Sequence, residues 1–219
     1  MRMSGRWVQE LFVEHGDHYE KVLESFLQRT GEEAQWIAGV LESKGVPKGS
    51  RVLDLACGIG RHSVELAQHG YHVTGVDLSE VYVARAKALA AERGLEDRIE
   101  FLACDMRYLA PCMESREYDA IVNLFTSFGY YDDETNETIL AQCRKHSREG
   151  AIFLIDVMNR DWLVENFEPR SFRRVENRLF LEERSIDLPR GRMKNQWTIL
   201  QAAEDGDYRT EATIDLDHR

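Results

Sequence analysis

Five short apolar segments alternate with helical segments between residues 51 and 159, and this alternation constrains the fold more than any other feature. The segments read RVLDLA, YHVTGVD, IEFLACD, YDAIVNLF and AIFLIDVMN. Stretches with helical periodicity, such as RHSVELAQHG, separate most of them. Strands that alternate with helices of this length form a parallel sheet that is covered on both faces. We therefore predict an α/β fold with a doubly wound, mostly parallel sheet.

The segments on either side of this region have other periodicities. From Trp7 to Leu41 the apolar residues recur at helical spacing, which predicts two or three helices. After Arg170 the period is two, and the turns PRGR and EDGD separate strand-like stretches, which predicts an antiparallel meander. We expect a single domain of 219 residues. Its parts are the helices of 1–45, a core of 50–160 and an antiparallel addition of 170–217.

The composition limits the classes of function. The net charge of −11 argues against a nucleic-acid partner, because phosphate binding depends on clustered Lys and Arg. The basic run of Arg170, Arg173 and Arg174 is interpreted as a solvated edge. No apolar run approaches the roughly 20 residues of a membrane span, and the N-terminus lacks a signal-peptide pattern. We expect a soluble cytoplasmic protein without a membrane partner.

The cysteines give no indication of a metal site. Cys57, Cys104, Cys112 and Cys143 form no CxxC pair and have no Cys/His spacing suited to zinc. We interpret all four as reduced thiols, most of them in the core, and predict no metal.

The first strand leads through the turn Cys57-Gly58-Ile59-Gly60 into a helix. In an open parallel sheet a ligand binds beyond the carboxyl ends of the strands, and glycines let the backbone approach it closely. This first turn is therefore the predicted site. Asp77 ends the second strand, where a carboxylate can accept hydrogen bonds from both hydroxyls of a ribose. The alternative for Asp77 is a plain turn residue before a helix.

Asp54 and Ser63 help to separate two cofactor classes. The pyrophosphate of a nicotinamide dinucleotide favours bare amides at a helix N-terminus, whereas S-adenosylmethionine carries an ammonium and a sulfonium. Asp54 near the turn disfavours the pyrophosphate, and Ser63 stands where a strict GxGxxG has its third glycine. S-adenosylmethionine is therefore the preferred cofactor. An NAD(P)-dependent oxidoreductase and a non-catalytic cofactor-binding module are the alternatives.

The motifs resemble those of class I S-adenosylmethionine-dependent methyltransferases. Residues 54–60 look like the first motif, DxxCGxG, and residues 75–79 look like the second. Residues 104–106 match the place where the family holds the adenine amine through an Asp, and 123–128 look like the loop where cofactor and substrate meet. The nearest likeness is to small-molecule methyltransferases, including those acting on amino sugars. The resemblance implies a Rossmann-like methyltransferase fold in which the N-terminal helices form a lid.

The resemblance also implies a set of site residues. Those expected to bind the cofactor are Asp54, Ala56, Cys57, Gly58, Gly60, Asp77, Leu78, Asp105, Met106, Asn123 and, from the lid, Tyr19. Phe125, Phe128 and Tyr130 are candidates for an acceptor pocket, with ordinary packing as the alternative. No catalytic residue is assigned. His62 is expected on a helix surface, while His15 and His18 are weighed as proton acceptors on the lid.

The implied reaction is methyl transfer to the nitrogen or oxygen of a small-molecule acceptor, in which the protein supplies orientation and excludes water. Members of the family usually complete the sheet with a further helix and a strand hairpin, whereas this sequence ends at Arg219. We expect either a truncated product or a fold that the meander closes differently. An uncovered sheet edge would favour a homo-oligomer.

Overall fold

The computed structural model describes residues 5–113 and 116–219, and these residues form two compact units. The first unit contains the described residues up to Lys21, together with Gly129–Asp132 and Met158–Arg219. The second unit contains Val22–Phe128 and Asp133–Val157. The predicted helical segment 1–45 is thus divided between the units, and its role as a lid stays a prediction. In the described ranges no helix has the length and apolar character of a membrane span.

Helices and strands are numbered in chain order. The helices are α1 (Arg6–Gln9), α2 (Gly16–Glu24), α3 (Leu27–Ser43), α4 (Arg61–Gln68), α5 (Glu80–Glu92), α6 (Ala110–Met113), α7 (Asp133–Lys145) and α8 (Arg160–Glu165), with a π-helical turn at Glu10–Glu14. The strands are β1 (Arg51–Leu55), β2 (His72–Asp77), β3 (Ile99–Ala103), β4 (Tyr118–Asn123), β5 (Ser147–Ile155), β6 (Arg170–Val175), β7 (Arg178–Asp187), β8 (Arg192–Ala202) and β9 (Tyr208–His218).

The second unit is built on a parallel sheet with the strand order β3-β2-β1-β4-β5. The predicted doubly wound parallel sheet is therefore confirmed. Apolar residues of β1, such as Val52 and Leu53, are fully buried, as expected for a central strand that is covered on both faces. The core around the sheet includes apolar residues from α3, α4 and α5. Because the strands are parallel, their carboxyl ends lie at one edge, where the predicted site residues follow β1 to β4.

A local signal explains where α5 begins, whereas the end of α7 involves a contact with a distant strand. α5 begins after Ser79, whose hydroxyl accepts a hydrogen bond from the Tyr82 amide and so caps the helix. The helix before β5, α7, ends at Lys145. His146 instead accepts a hydrogen bond from the Tyr118 amide through its carbonyl, and this bond turns the chain into β5.

The first unit contains an antiparallel sheet with the order β6-β7-β8-β9. The predicted antiparallel meander is confirmed. Phe180, Ile199 and Ile214 are buried on one face of the sheet. β6 is an edge strand in which Arg170, Arg173 and Arg174 are exposed, as the interpretation of a solvated edge required.

The prediction that all four cysteines are reduced was wrong for two of them. Cys104 and Cys112 form a disulfide, with their Cα atoms 6.1 Å apart. The segment between them folds back, because the Tyr108 amide donates to the Asp105 carbonyl and α6 begins immediately afterwards. Cys57 and Cys143 are free and buried, which confirms the prediction for these two.

Candidate functional site

The turn between β1 and α4 has an unusual backbone. Ala56, Gly58 and Gly60 all lie in the left-handed region, with φ values of 61°, 57° and 77°. This conformation costs a non-glycine residue such as Ala56 about 1–2 kcal/mol, and strain of this kind is concentrated at functional sites. Hydrogen bonds from the Cys57 amide to the Val76 carbonyl (2.9 Å) and from the Gly60 amide to the Cys57 carbonyl (3.0 Å) hold the turn.

Gly60 is required by space as well as by its φ angle. A Cβ atom at this position would lie 2.7 Å from the Cβ of Ala86 and 2.8 Å from the Phe101 ring. The turn is therefore packed tightly between α5 and β3. Gly58, in contrast, is half-buried, and a Cβ there would contact only Leu23 at 3.4 Å. Gly58 thus leaves backbone accessible at the predicted cofactor position.

Asp77 is the acidic residue at the end of β2. Its Oδ2 accepts a 2.8 Å hydrogen bond from the Gly58 amide, and its Oδ1 accepts a 2.9 Å bond from the Ser79 amide. Burial raises the pKa of this carboxyl group, and the backbone hydrogen bonds oppose the shift. A carboxylate can accept up to four hydrogen bonds, and the backbone bonds from Gly58, Ser79 and Leu78 do not use all of this capacity. The half-buried Leu78 follows directly.

Asp54 lies inside β1 and is 2% exposed. Its carboxylate accepts a 2.6 Å hydrogen bond from the hydroxyl of Ser63, in the first turn of α4. Burial raises the pKa of Asp54 to about 6, although the Ser63 hydroxyl acts in the opposite direction. Burial also raises the pKa of the Cys57 thiol, which is therefore neutral near pH 7. Asp54 accordingly fixes the start of α4 beneath the turn.

Asp105 follows the end of β3, next to the buried Met106. Its carboxylate accepts hydrogen bonds from the side chain of Arg107, at 3.0 Å from Nε and 2.6 Å from Nη2, and from the Arg107 amide at 2.9 Å. A ligand amine at Asp105 would therefore share the carboxylate with a guanidinium. The sequence interpretation missed the role of Arg107. The only indication in the sequence was the presence of a basic residue two positions after Asp105.

Asn123 ends β4 and is fully buried. Its Nδ2 donates a 2.7 Å hydrogen bond to the Leu55 carbonyl, which ties the end of β4 to the end of β1. Its Oδ1 is buried and has no hydrogen-bond partner among the residues that the structure describes. The next loop is strained, since Phe125 and Thr126 have φ values of 58° and 59°. Hydrogen bonds from their amides to Asp156 hold this loop.

The predicted aromatic residues fall into both units. Phe125 and the half-buried Phe128 belong to the second unit, and Phe125 packs against Phe26 with 5.0 Å between ring centroids. Tyr19 and Tyr130 belong to the first unit, where both rings contact Phe12 at 5.3 and 5.5 Å. Their expected roles at the cofactor and the acceptor stay predictions.

The prediction of a surface position for His62 was wrong. His62 is 8% exposed, and its Nε2 lies 2.9 Å from Oε2 of Glu33 in α3. Burial and the neighbouring Arg61 lower the pKa of His62 to about 4, so the imidazole is neutral near pH 7. Glu33 also accepts a 2.7 Å hydrogen bond from Nη1 of Arg61. The sequence interpretation did not identify this cluster, because its partners are about 30 positions apart in the chain.

The two histidines weighed as proton acceptors lie side by side in the first unit, and that role stays a prediction. The ring centroids of His15 and His18 are 5.6 Å apart. His18 is buried, which lowers its pKa, and its Nδ1 lies 3.4 Å from Asp17 and 3.6 Å from Glu211. Within 5–113 and 116–219 no group of three His, Cys, Asp or Glu residues is arranged to hold a metal ion.

Part of the chain is similar to a known protein family. The family described as "Methyltransferase domain" matches residues 52–150. YqeM of Bacillus subtilis, which is named as a methyltransferase, is 34% identical over 140 residues, covering 63% of this chain and 52% of YqeM. The chain spans about half the length of the curated relatives that it matches first.

Two solved structures share the fold. A methyltransferase from Clostridium acetobutylicum superposes with a TM-score of 0.71 and 16% identity, covering 94% of this chain and 80% of the other. The sugar N-methyltransferase KedS8 from Streptoalloteichus gives a TM-score of 0.64 and 23% identity, covering 85% and 71%. At these identities the likeness concerns the fold. Together with the matched segment and the motifs around Gly58, Asp77 and Asn123, the shared fold supports a class I S-adenosylmethionine-dependent methyltransferase.

Proposed function

We propose that the chain binds S-adenosylmethionine at the carboxyl edge of the parallel sheet and transfers its methyl group to a small molecule with a nucleophilic nitrogen or oxygen. One observation carries the assignment of the site: both oxygens of Asp77 are fixed by the Gly58 and Ser79 amides. This carboxylate is thus preorganised beside the glycine turn, and it retains acceptor capacity for hydrogen bonding to the ribose.

The strand order supports the direction in which the cofactor would lie. Neighbouring strands β3, β2, β1 and β4 end in Asp105, Asp77, the glycine turn and Asn123. An adenine at Asp105 and a ribose at Asp77 would bring the amino-acid portion to the turn and to β4. The unpartnered Oδ1 of Asn123 fits this portion, because an ammonium group is a hydrogen-bond donor without acceptor capacity.

S-adenosylmethionine supplies an electrophilic methyl group when it is bound, so the protein needs to orient the acceptor and exclude water. Phe125 and Phe128 are the aromatic residues of the second unit that we propose for the acceptor side, since they belong to the strained loop after β4. An amine acceptor must reach the reaction uncharged, whereas a hydroxyl needs a proton acceptor. The choice between nitrogen and oxygen therefore depends on the acceptor.

The class of acceptor is proposed from the relatives. They include a glycine N-methyltransferase from Rattus norvegicus and the sugar N-methyltransferase KedS8, so amine-bearing small molecules are the first acceptors to test. The net charge of −11 makes a nucleic-acid acceptor less favourable. The homo-oligomer also remains a proposal, based on the position of β5 at the edge of the parallel sheet.

Calorimetric titration of the purified chain with S-adenosylhomocysteine, beside NAD and NADP, tests the proposal. We expect S-adenosylhomocysteine to bind at micromolar strength or tighter, and the two dinucleotides not to bind. Radiolabelled S-adenosylmethionine with small amines and amino sugars should then give a labelled product. Binding of a dinucleotide instead would replace the methyltransferase proposal with an oxidoreductase. Cofactor binding without transfer to any acceptor would support a non-catalytic module.

A further inference from the structure

Cys104 and Cys112 form a disulfide across the segment that carries Asp105. Cys104 directly follows β3, and its amide donates a 2.8 Å hydrogen bond to the Asp77 carbonyl at the end of β2. Cys112 lies in α6, eight residues further along the chain. The disulfide therefore ties α6 to the carboxyl edge of the parallel sheet, next to the two carboxylates that we propose for the ribose and the adenine.

Packing and hydrogen bonds hold the same segment in part. Met106, Leu109 and Met113 are buried, so they anchor the segment to the second unit whether or not the disulfide is formed. The turn between these anchors is more accessible, since Tyr108 is 60% exposed and Asp105 is half-buried. The 2.8 Å hydrogen bond from the Tyr108 amide to the Asp105 carbonyl is local to the turn. The disulfide thus adds a covalent tie between the two ends of a locally bonded turn.

The two sulfur atoms differ in their access to solvent. Cys104 is 6% exposed, whereas Cys112 is half-buried and follows the exposed residues Ala110 and Pro111. A thiolate from solvent therefore reaches Sγ of Cys112 more readily, and Cys104 is then the leaving group. The carbonyl oxygen of Tyr108 lies 3.8 Å from Sγ of Cys104 and 3.9 Å from Sγ of Cys112, so each thiol has an acceptor nearby in the reduced form. Both redox states are compatible with the local structure.

The other two cysteines are poor partners for exchange. Cys57 and Cys143 are buried, and burial raises the pKa of both thiols, that of Cys143 to about 12. Since the thiolate is the nucleophile in exchange, a buried neutral thiol reacts slowly. Exchange at Cys104 and Cys112 is therefore separable from the chemistry of the other thiols.

We propose that Cys104 and Cys112 are a thiol–disulfide exchange site, and that its redox state controls the affinity of the cofactor site through Asp105. The co-reactant is a dithiol. One of its thiolates attacks Sγ of Cys112, the S–S bond breaks, and Cys104 leaves as a thiolate that takes up a proton. The second thiol of the dithiol then displaces Cys112, so the chain gains two electrons and two protons while the dithiol becomes a disulfide. A disulfide oxidant reverses the reaction.

The coupling to binding follows from what the disulfide restrains. A turn that is closed by a covalent bond has fewer conformations than an open one, so it loses less conformational entropy when a ligand orders it. The position of Arg107 depends on the same turn, and its Nη2 donates a 2.6 Å hydrogen bond to the Asp105 carboxylate. The oxidised form therefore presents this carboxylate in a more fixed position than the reduced form does. The inference rests on the proposed function, since it takes Asp105 as the residue that holds the adenine.

The test combines reduction with the substitution Asp105→Asn. S-adenosylhomocysteine is titrated calorimetrically into wild type and Asp105→Asn, each in the oxidised form and after reduction with dithiothreitol. The double variant Cys104→Ser/Cys112→Ser reproduces the reduced state without a reductant. Cys143→Ser is the matched control, because it removes a thiol that is 2% exposed and lies on α7, outside the site. Circular dichroism establishes that every form is folded before the titration.

We expect reduction to weaken S-adenosylhomocysteine binding to wild type by roughly 5- to 50-fold, within the range of one hydrogen bond to a charged group. The double variant should bind weakly with and without dithiothreitol, and Cys143→Ser should respond to reduction as wild type does. Asp105→Asn should bind weakly already in the oxidised form. Reduction should then change its affinity by less than twofold, because the group through which the disulfide acts has been altered.

Equal affinities of the oxidised and reduced wild-type chain would overturn the proposal. The same loss on reduction in Asp105→Asn as in wild type would also overturn it, since the disulfide would then act on the whole site and not through Asp105. Loss of folded structure on reduction would make the disulfide a purely structural bond, which contradicts the proposed exchange site. An oxidised wild-type chain that binds no S-adenosylhomocysteine would overturn the proposed function itself, whereas the other outcomes concern the disulfide and Asp105.

Discussion

The hydroxyl of Ser63 donates a 2.6 Å hydrogen bond to the carboxylate of Asp54, which is 2% exposed near the end of β1. The bond joins the strand before the glycine turn to the helix after it. This bond therefore fixes both ends of the turn. The amides of Gly58 and Ser79 donate hydrogen bonds to Asp77. The strained backbone of the turn depends on Asp54 and Asp77. Substitution of each residue should distinguish effects on the stability of the fold from effects on ligand binding.

The Asp54 carboxyl group should make stability depend on pH. Burial raises its pKa from 3.8 to about 6, so the folded state binds a proton more tightly than the unfolded state. Its contribution is complete below about pH 4 and is lost as the pH rises through 6, on the order of 3 kcal/mol in total. Urea unfolding of wild type and Asp54→Asn at several pH values measures this effect. The variant should gain relative stability between pH 4 and 6, and a constant difference would contradict the assignment.

Gly60→Ala should destabilise the second unit strongly. The new Cβ would lie 2.7 Å from the Cβ of Ala86, at a φ of 77°. We expect a loss of about 3 kcal/mol or more, from the left-handed conformation and the clash together. Gly94→Ala is the matched control, because Gly94 has a φ of 64° with nothing within 4 Å of an added Cβ. It should lose only about 1–2 kcal/mol in urea unfolding. Equal losses of stability in the two variants would show that the residues around Gly60 move to accommodate the new Cβ atom at little cost.

The parts of the fold that the sequence predicts best are those that local patterns determine. The buried strands β1 to β4 are short apolar runs, and the N-cap at Ser79 is a local signal. The end of α7 has no comparable local signal, because the step into β5 involves the hydrogen bond from the Tyr118 amide to the His146 carbonyl, which joins distant parts of the chain. Periodicity therefore indicates that an element exists more reliably than where it ends.

The polar partners in the site illustrate the same distinction. Gly58 and Asp77 belong to a recognisable spacing, and both lie together as expected. The burial of Arg61 and His62 depends on Glu33, which is about 30 residues away in the chain. These residues pair only when the folded structure brings α3 and α4 together. No local pattern around Arg61 could indicate it.

The disulfide between Cys104 and Cys112 closes the loop that carries Asp105. Cross-linking a loop of this length stabilises a fold by about 2–3 kcal/mol, chiefly by restricting the unfolded chain. Reduction with dithiothreitol should therefore lower stability in urea unfolding by that amount. The double variant Cys104→Ser/Cys112→Ser should be insensitive to the reductant. Thiol titration of the unfolded, unreduced protein should give two free thiols, and four would show that the disulfide does not form in solution.

Asp77→Asn should weaken the binding of S-adenosylhomocysteine. The loss of affinity should exceed that caused by other substitutions in the sheet that lower the free energy of unfolding by a similar amount. The substitution places an amide nitrogen opposite the Gly58 amide or the Ser79 amide, and it removes acceptor positions proposed for the ribose hydroxyls. Hydrogen bonds to a charged group contribute about 1.5–3 kcal/mol, which corresponds to a roughly 10- to 150-fold loss of affinity.

Asp119→Asn provides the control for this measurement. Asp119 also accepts a hydrogen bond from a backbone amide, that of Arg51 at 2.8 Å, but at the amino end of the strands. It should lower the free energy of unfolding without changing the calorimetric affinity. Because the two variants remove the same kind of bond at opposite edges of one sheet, a loss of affinity confined to Asp77→Asn assigns the ribose position to the carboxyl edge. Wild-type affinity in Asp77→Asn would remove that assignment.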